Sequence, residues 1–369
     1  MDELSALVLT ESDDPDLAAV ARAVQHALGA LPEAGAQEAD PGAPIALPLG
    51  AELPAQLRDA RVVVALDPEA DELAREADVA TRVVLFPHWG LRWTGPLDAD
   101  LVLVAHEGLV ADAGALGASR GRVRVVGPVA PSEWAPHADR AAIRQELGIV
   151  GSCAVVRAEA LDRHDLAPSL VQLSLVRGDC TWLFDVGTNP ALARELRRRV
   201  PGYGLDALMF ADGESALASY QAADVVLGRL EGPEVLRALA VGASVVAVAP
   251  RSSEARVAHM LETEGLAQIA DAAATLAVTL DAALSPEAVA RGRAAALATD
   301  PAGGAERVAT RVRELLAGEL SAAPPTGLPA GLERLDAGDE GLRDGPPPSD
   351  DADKAVDDEL AALRAKLGL

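Results

Sequence analysis

The sequence predicts an α/β protein of two doubly wound domains, each a parallel sheet with helices on both faces. Three observations predict it. The chain has 369 residues, more than a single hydrophobic core usually serves. Half of them are apolar but only 2% are aromatic, so the core is built of Ala, Val and Leu, which suits helices laid on buried parallel strands. Short β-branched runs also alternate with Ala-, Leu-, Glu- and Arg-rich segments of helical length, the pattern of right-handed βαβ units.

The elements follow in order. "ALVLT" predicts a strand and "PDLAAVARAVQHALG" a helix, with Asp14 as N-cap and Pro15 in the first helical position. Next come "APIALP", "AELPAQLRDA", "RVVVALD", "PEADELAREA", "TRVVLFPH", "ADLVLVAHE" and "RVRVVGPV", completing a first domain over residues 1–130. The alternation stops in "APSEWAPHADRAAIRQELGI", where two prolines precede an amphipathic helix ending at Gly148, so residues 131–150 read as the interdomain connection.

The pattern restarts with "CAVVRAEA", "CTWLFDVG", "LDALMFAD", "DVVLGRL" and "SVVAVAP", separated by helices such as "NPALARELRRRV" and "SSEARVAHMLETEG". This second domain, residues 151–320, ends in the helices "SPEAVARGRAAALATD" and "GGAERVATRVRELLAGEL". In two-domain folds of this kind a last helix often returns to the first domain. Residues 321–354 are rich in Pro, Gly and acid with few large apolar side chains, which predicts a disordered acidic linker. Residues 355–369 place Leu360, Leu363 and Leu367 at helical spacing, acids first and Arg364 and Lys366 last. That short helix either docks on a protein partner or folds onto its own domain or frays.

Charge and composition exclude several functions. A net charge of -25 opposes a general phosphate-backbone binder, so nucleic acid is not an expected partner. No apolar run approaches the ~20 residues that span a bilayer, and the acidic "MDELSALVLTESDD" is unlike a basic secretory leader, so a cytoplasmic protein is expected. Cys153 and Cys180 each open an apolar run and read as buried free thiols. The histidines show no metal-ligand spacing, and neither a metal nor a cofactor is expected. The basic run "RELRRRV" reads as a solvated helix end that suits the dipole, with a partner surface as the alternative.

Residues 86–129, "FPHWGLRWTGPLDADLVLVAHEGLVADAGALGASRGRVRVVGPV", followed by "HADRAAIRQELGI", resemble the end of the first domain and the connecting helix of the GT-B glycosyltransferases. "DVVLGRLEGPEVLRALAVGASVVAVAP", from Asp224, is similar to their pattern D-V-V-V-x-R-x-G-x-x-T-V-x-E-x-x-A-x-G-x-P without gaps. The nearest likeness is to the lipid-II N-acetylglucosaminyltransferase and the diacylglycerol glycosyltransferases, over roughly residues 80–270. The resemblance implies two Rossmann-like domains facing a cleft and a UDP-sugar as substrate.

It also implies glycine-rich loops, because a diphosphate is held by backbone N–H groups that only glycine lets it approach closely. Those loops are altered here. After the first strand stand Glu11, Ser12, Asp13, Asp14 and Pro15, and after "CAVV" stand Arg157, Ala158, Glu159 and Ala160. The third loop is Leu230-Glu231-Gly232-Pro233-Glu234, with Gly232 one position out of register. The family's ribose-binding Glu falls on Arg237, which cannot accept a hydrogen bond. Glu234, one turn earlier, is a substitute, and Ser252-Ser253-Glu254 stand where the family contacts the sugar.

His88 and Glu107 close two predicted strands, where α/β ligands gather, and are the candidate proton-transfer groups; a structural His88-Trp89 pair is the alternative. The expectation is a divergent GT-B-like protein, catalytically impaired or inactive, that acts in binding or scaffolding. The alternative is an active UDP-sugar-dependent transferase acting on a lipid or glycan, in which Arg157, Arg229 or Arg237 grips the diphosphate with its side chain.

Overall fold

The structure is a computed structural model that describes residues 6–10, 14–29, 57, 60–90, 93–158, 166–187, 189–210, 214–230, 233–248, 250–251 and 254–318. Its first sheet has five parallel strands in sequential order: β1 (Ala6–Leu9), β2 (Val62–Ala65), β3 (Arg82–Phe86), β4 (Leu101–Val104) and β5 (Val123–Val125). The second sheet has six: β6 (Ser152–Arg157), β7 (Cys180–Asp185), β8 (Ala207–Phe210), β9 (Val225–Gly228), β10 (Ser244–Val248) and β11 (Ala267–Ala270). Their order is β11-β10-β9-β6-β7-β8 and every pairing is parallel. β2 and β4 are buried along their whole length, as parallel strands covered on both faces must be.

Helices α1 (Pro15–Leu28), α2 (Pro68–Glu76), α3 (Gly108–Ala115) and α4 (Arg140–Glu146) accompany the first sheet and the connection. With the second sheet come α5 (Leu166–Ser174), α6 (Pro190–Arg199), α7 (Glu214–Ala222), α8 (Pro233–Ala240), α9 (Ala255–Thr263), α10 (Leu276–Ala283), α11 (Pro286–Ala298) and α12 (Gly304–Leu316). Asp14, Asp67, Asn189 and Ser285 each cap a helix that opens on proline, their side chains accepting an N–H that the first turn leaves free. Arg197, Arg198 and Arg199 fill the last turn of α6, where positive charge suits the dipole.

The first sheet shares its core with two helices from the second half of the chain. Val20 and Val24 of α1 and strands β2 to β4 cluster with Trp134, with Leu236 and Ala240 of α8, and with Val308, Ala309 and Val312 of α12. The last described helix thus packs on the first one. Gly304 makes that docking possible: a Cβ there would strike Pro128 O and come within 2.7 Å of Val129 Cα. Asp224, at the mouth of β9, ties the connection down by accepting from Arg140 at 2.6 Å, from Arg144 at 3.2 Å and from Cys153 N at 2.8 Å. Arg140 also donates to the carbonyls of Ala222 and Ala223 at the end of α7. All described residues belong to one compact unit.

Several expectations meet the structure differently. β11 was not expected, because "AQIA" carries one β-branched residue; it is a strand because its backbone extends the ladder of β10. The predicted strand "APIALP", most of the helix "AELPAQLRDA", and residues 321–369 with Leu360, Leu363 and Leu367 lie outside the described residues. Cys153 and Cys180 are both free, but only Cys153 is buried as expected and Cys180, at the start of β7, is half-buried; partial or full burial pushes each thiol up to about 12. Among the described residues no single helix is long and apolar enough to cross a membrane.

Candidate functional site

β6 pairs with both β7 and β9, so the strand order of the second sheet reverses between β6 and β9. In doubly wound sheets the crevice beyond the carboxyl ends of the strands at such a reversal is where ligands bind. Arg157 is the last residue of β6, Arg229 follows β9, and α8 begins just after it. Asp185 ends the neighbouring β7. The resemblance had pointed to Arg157, Arg229 and the start of α8, and not to Asp185.

Side chains of the protein meet in this region. Arg237 of α8 forms an ion pair with Asp16 in the first turn of α1, joining the two sheets. Its guanidinium lies 5.1 Å from the ring centres of both Trp134 and Tyr220, a cation held against two aromatic faces. Asp16 is only 4% exposed. Burial pushes its carboxyl up to about 6, with Arg237 pulling in the opposite direction and Arg157 adding a smaller pull the same way. One charge-bearing nitrogen of the cluster, Arg237 Nε, is buried with no acceptor among the described residues.

A second pair stands beside the first. Arg157 lies 3.6 Å from the Asp185 carboxylate, and the Tyr220 hydroxyl donates to the same oxygen at 2.9 Å. Asp185 also accepts from Gly187 N at 3.0 Å. Tyr220 is fully buried, and burial raises its hydroxyl pKa above the ordinary phenol value. The cluster therefore holds two acid–base pairs, Asp16 with Arg237 and Asp185 with Arg157, and Tyr220 touches both, its ring against Arg237 and its hydroxyl on Asp185.

The candidate residues are placed as follows. Arg237 pairs with Asp16, Arg157 stands against Asp185, and Arg229 is half-buried after β9. Glu234 lies in the first turn of α8, while Gly232 and Ser253 fall outside the described residues. Glu254 is 2% exposed at the start of α9 and accepts from Arg251 N at 2.7 Å, so one carboxylate oxygen serves its own turn. His88 is buried, its Nδ1 accepting from Gly90 N at 3.0 Å, as a loop-shaping histidine does. Glu107 is exposed at the N-cap of α3 and makes no side-chain cap. The neighbouring His106 accepts from Gly108 N and pairs with Glu264.

Asp16, Trp134 and Tyr220 were not among the sequence candidates. Asp16 reads as an ordinary first-turn acid that complements the helix dipole. The only signal that could have marked it is its partner, an unexpected Arg at the ribose-binding position.

No family model and no curated protein matches the sequence. Solved structures do share its fold. The HepE protein of Anabaena in complex with UDP superposes with a TM-score of 0.51 at 14% identity, covering 71% of this chain and 79% of that one. Sucrose-phosphate synthase from Thermosynechococcus elongatus gives 0.51 at 18%, covering 70% and 74%. A Listeria monocytogenes protein described as a UDP-N-acetylglucosamine 2-epimerase gives 0.52 at 13%, covering 70% and 76%. The chain has the two-domain α/β fold of the GT-B glycosyltransferases.

Proposed function

We propose that this chain is a GT-B-fold protein whose nucleotide-sugar crevice is closed by its own side chains, and that it works by binding or scaffolding rather than by sugar transfer. The observation that carries the reading is the Arg237–Asp16 pair. It occupies the helix that in the resembling enzymes faces the ribose, and it uses the guanidinium that a rearranged donor site would need for phosphate. A diphosphate reaching Arg237 must displace a carboxylate that is buried with it. The changed loops support the same conclusion, since three acidic side chains stand in the loop between Thr10 and Pro15.

The second reading is an active transferase that opens this pair to admit a UDP-sugar. Two guanidinium groups, Arg157 at the end of β6 and Arg237 on α8, stand beside the strand-order reversal and favour it, as does the likeness to a protein solved with UDP. Calorimetric titration with UDP, UDP-glucose and UDP-N-acetylglucosamine separates the two. The closed-site reading expects no saturable heat; micromolar binding lost in Arg237→Ala, with transfer to a lipid or glycan acceptor, establishes the second. The proposed partner contact is the spacing of Leu360, Leu363 and Leu367 in a cytoplasmic protein. Truncation after Ser321 then removes a co-purifying partner, and an unchanged set of interactions removes that part of the proposal.

A further inference from the structure

Between the first sheet's α3 and the second sheet's α9 lies a recess of ≈ 330 Å³, with no lining residue in common with the Arg237 cluster. Trp89, Trp93 and Leu109 wall one side, and Val257 and Met260 the other. The volume falls at the lower end of the range for small-molecule sites. Two side-chain contacts brace the same seam: Arg256 forms an ion pair with Asp112 and donates to Gly108 O at 2.5 Å, and His106 meets Glu264 just beyond the end of α9.

We propose that this recess is a binding site for the alkyl chain of a small uncharged molecule carrying at most one hydrogen-bond acceptor, such as a medium-chain alcohol or ester. The lining chemistry selects that class. The two charges at the recess, Asp112 and Arg256, already neutralise each other, so a charged ligand must break a pair to gain one. A sugar or nucleotide requires several convergent polar partners, and the walls are indole, aliphatic and thioether groups.

Met260 supports a chain in preference to a rigid ring system. An unbranched thioether with three rotatable bonds reshapes itself around a flexible neighbour, and Met260 packs against apolar clusters of both sheets. Because the two walls come from the two sheets, an occupant adds apolar contacts across the seam and stabilises their present arrangement. This inference is independent of whether the nucleotide crevice is open or closed.

The test uses the full chain and N-phenylnaphthylamine, a neutral fluorophore that brightens in apolar sites and accepts energy from tryptophan. The probe is displaced by decanol, with decanoate as the charged counterpart. The expected result is saturable displacement by decanol, weaker displacement by decanoate, and a higher melting temperature in decanol. Ala115 is exposed at the recess, so Ala115→Phe fills it from the solvent side without entering the core; it is expected to weaken decanol binding about ten-fold or more. Val257→Phe, from the opposite wall, does the same. Non-saturable uptake of the probe, or wild-type affinity for decanol in both filled variants, overturns the proposal.

Discussion

Arg237 and Asp16 stand 221 positions apart in the chain, yet their side chains form an ion pair that links the helix after β9 to the helix after β1. Both are largely shielded from water, with side-chain exposures of 13% and 5%. Removing one partner of such a pair strands the other charge in a poorly solvated place. Arg237→Ala is expected to destabilise the protein by about 3–5 kcal/mol, read as a lower midpoint in urea. A double-mutant cycle with Asp16→Ala should return a coupling of about 1–3 kcal/mol. A coupling near zero would show that the two side chains act independently.

The same carboxyl gives a pH dependence. Burial, opposed by Arg237, moves Asp16 from 3.8 to about 6. In the interval between those values the folded protein binds more protons at this position than the unfolded chain. Its contribution to stability is therefore complete below about 4 and is lost as the pH rises through about 6. Asp16→Asn removes that titration. The stability of the wild type relative to Asp16→Asn should fall as the pH is raised across this interval, measured by denaturant midpoints at matched ionic strength.

Asp224 holds three partners at once: two guanidinium groups of α4 and the backbone N–H of Cys153. Asp224→Ala leaves Arg140 and Arg144 without their carboxylate and Cys153 N without its acceptor. A loss of roughly 3 kcal/mol is expected. Asp224→Asn, which keeps an acceptor for Cys153 N, should lose less. Equal losses for the two substitutions would place the whole effect in the charge.

Two glycines separate close packing from helix propensity. At Gly304 a Cβ would meet the backbone of Pro128 and Val129, so Gly304→Ala must push α12 away from the segment that follows β5, with an expected cost of about 1–3 kcal/mol. At Gly114, inside α3, nothing lies within 4 Å of a built Cβ, and Gly114→Ala should stabilise by roughly 0.5–1 kcal/mol. Thermal melts of the two variants should move in opposite directions.

Much of the fold was legible because its signals are local. "VVVA" and "LVLV" are buried on both faces and had to be parallel strands, and the Asp-Pro, Asn-Pro and Ser-Pro pairs announce helix starts in four places. β11 was not legible, since its strand character comes from the ladder and not from "AQIA" itself. The site was half legible. Arg157 and Arg237 stand out as substitutions in a recurring pattern, but Asp16, Trp134 and Tyr220 carry no mark of their own. What makes them a cluster is tertiary proximity, and no periodicity within one segment encodes it.

The packing of α12 against α1 gives the chain a temporal constraint. Val20 and Val24 of α1 share their cluster with Val308 and Val312 of α12, so part of the apolar face of α1 has no cover until α12 has been synthesised. Domains generally complete folding one after another as the ribosome releases them. Here the first sheet must wait for α12, leaving an apolar stripe exposed while the whole second sheet is being made.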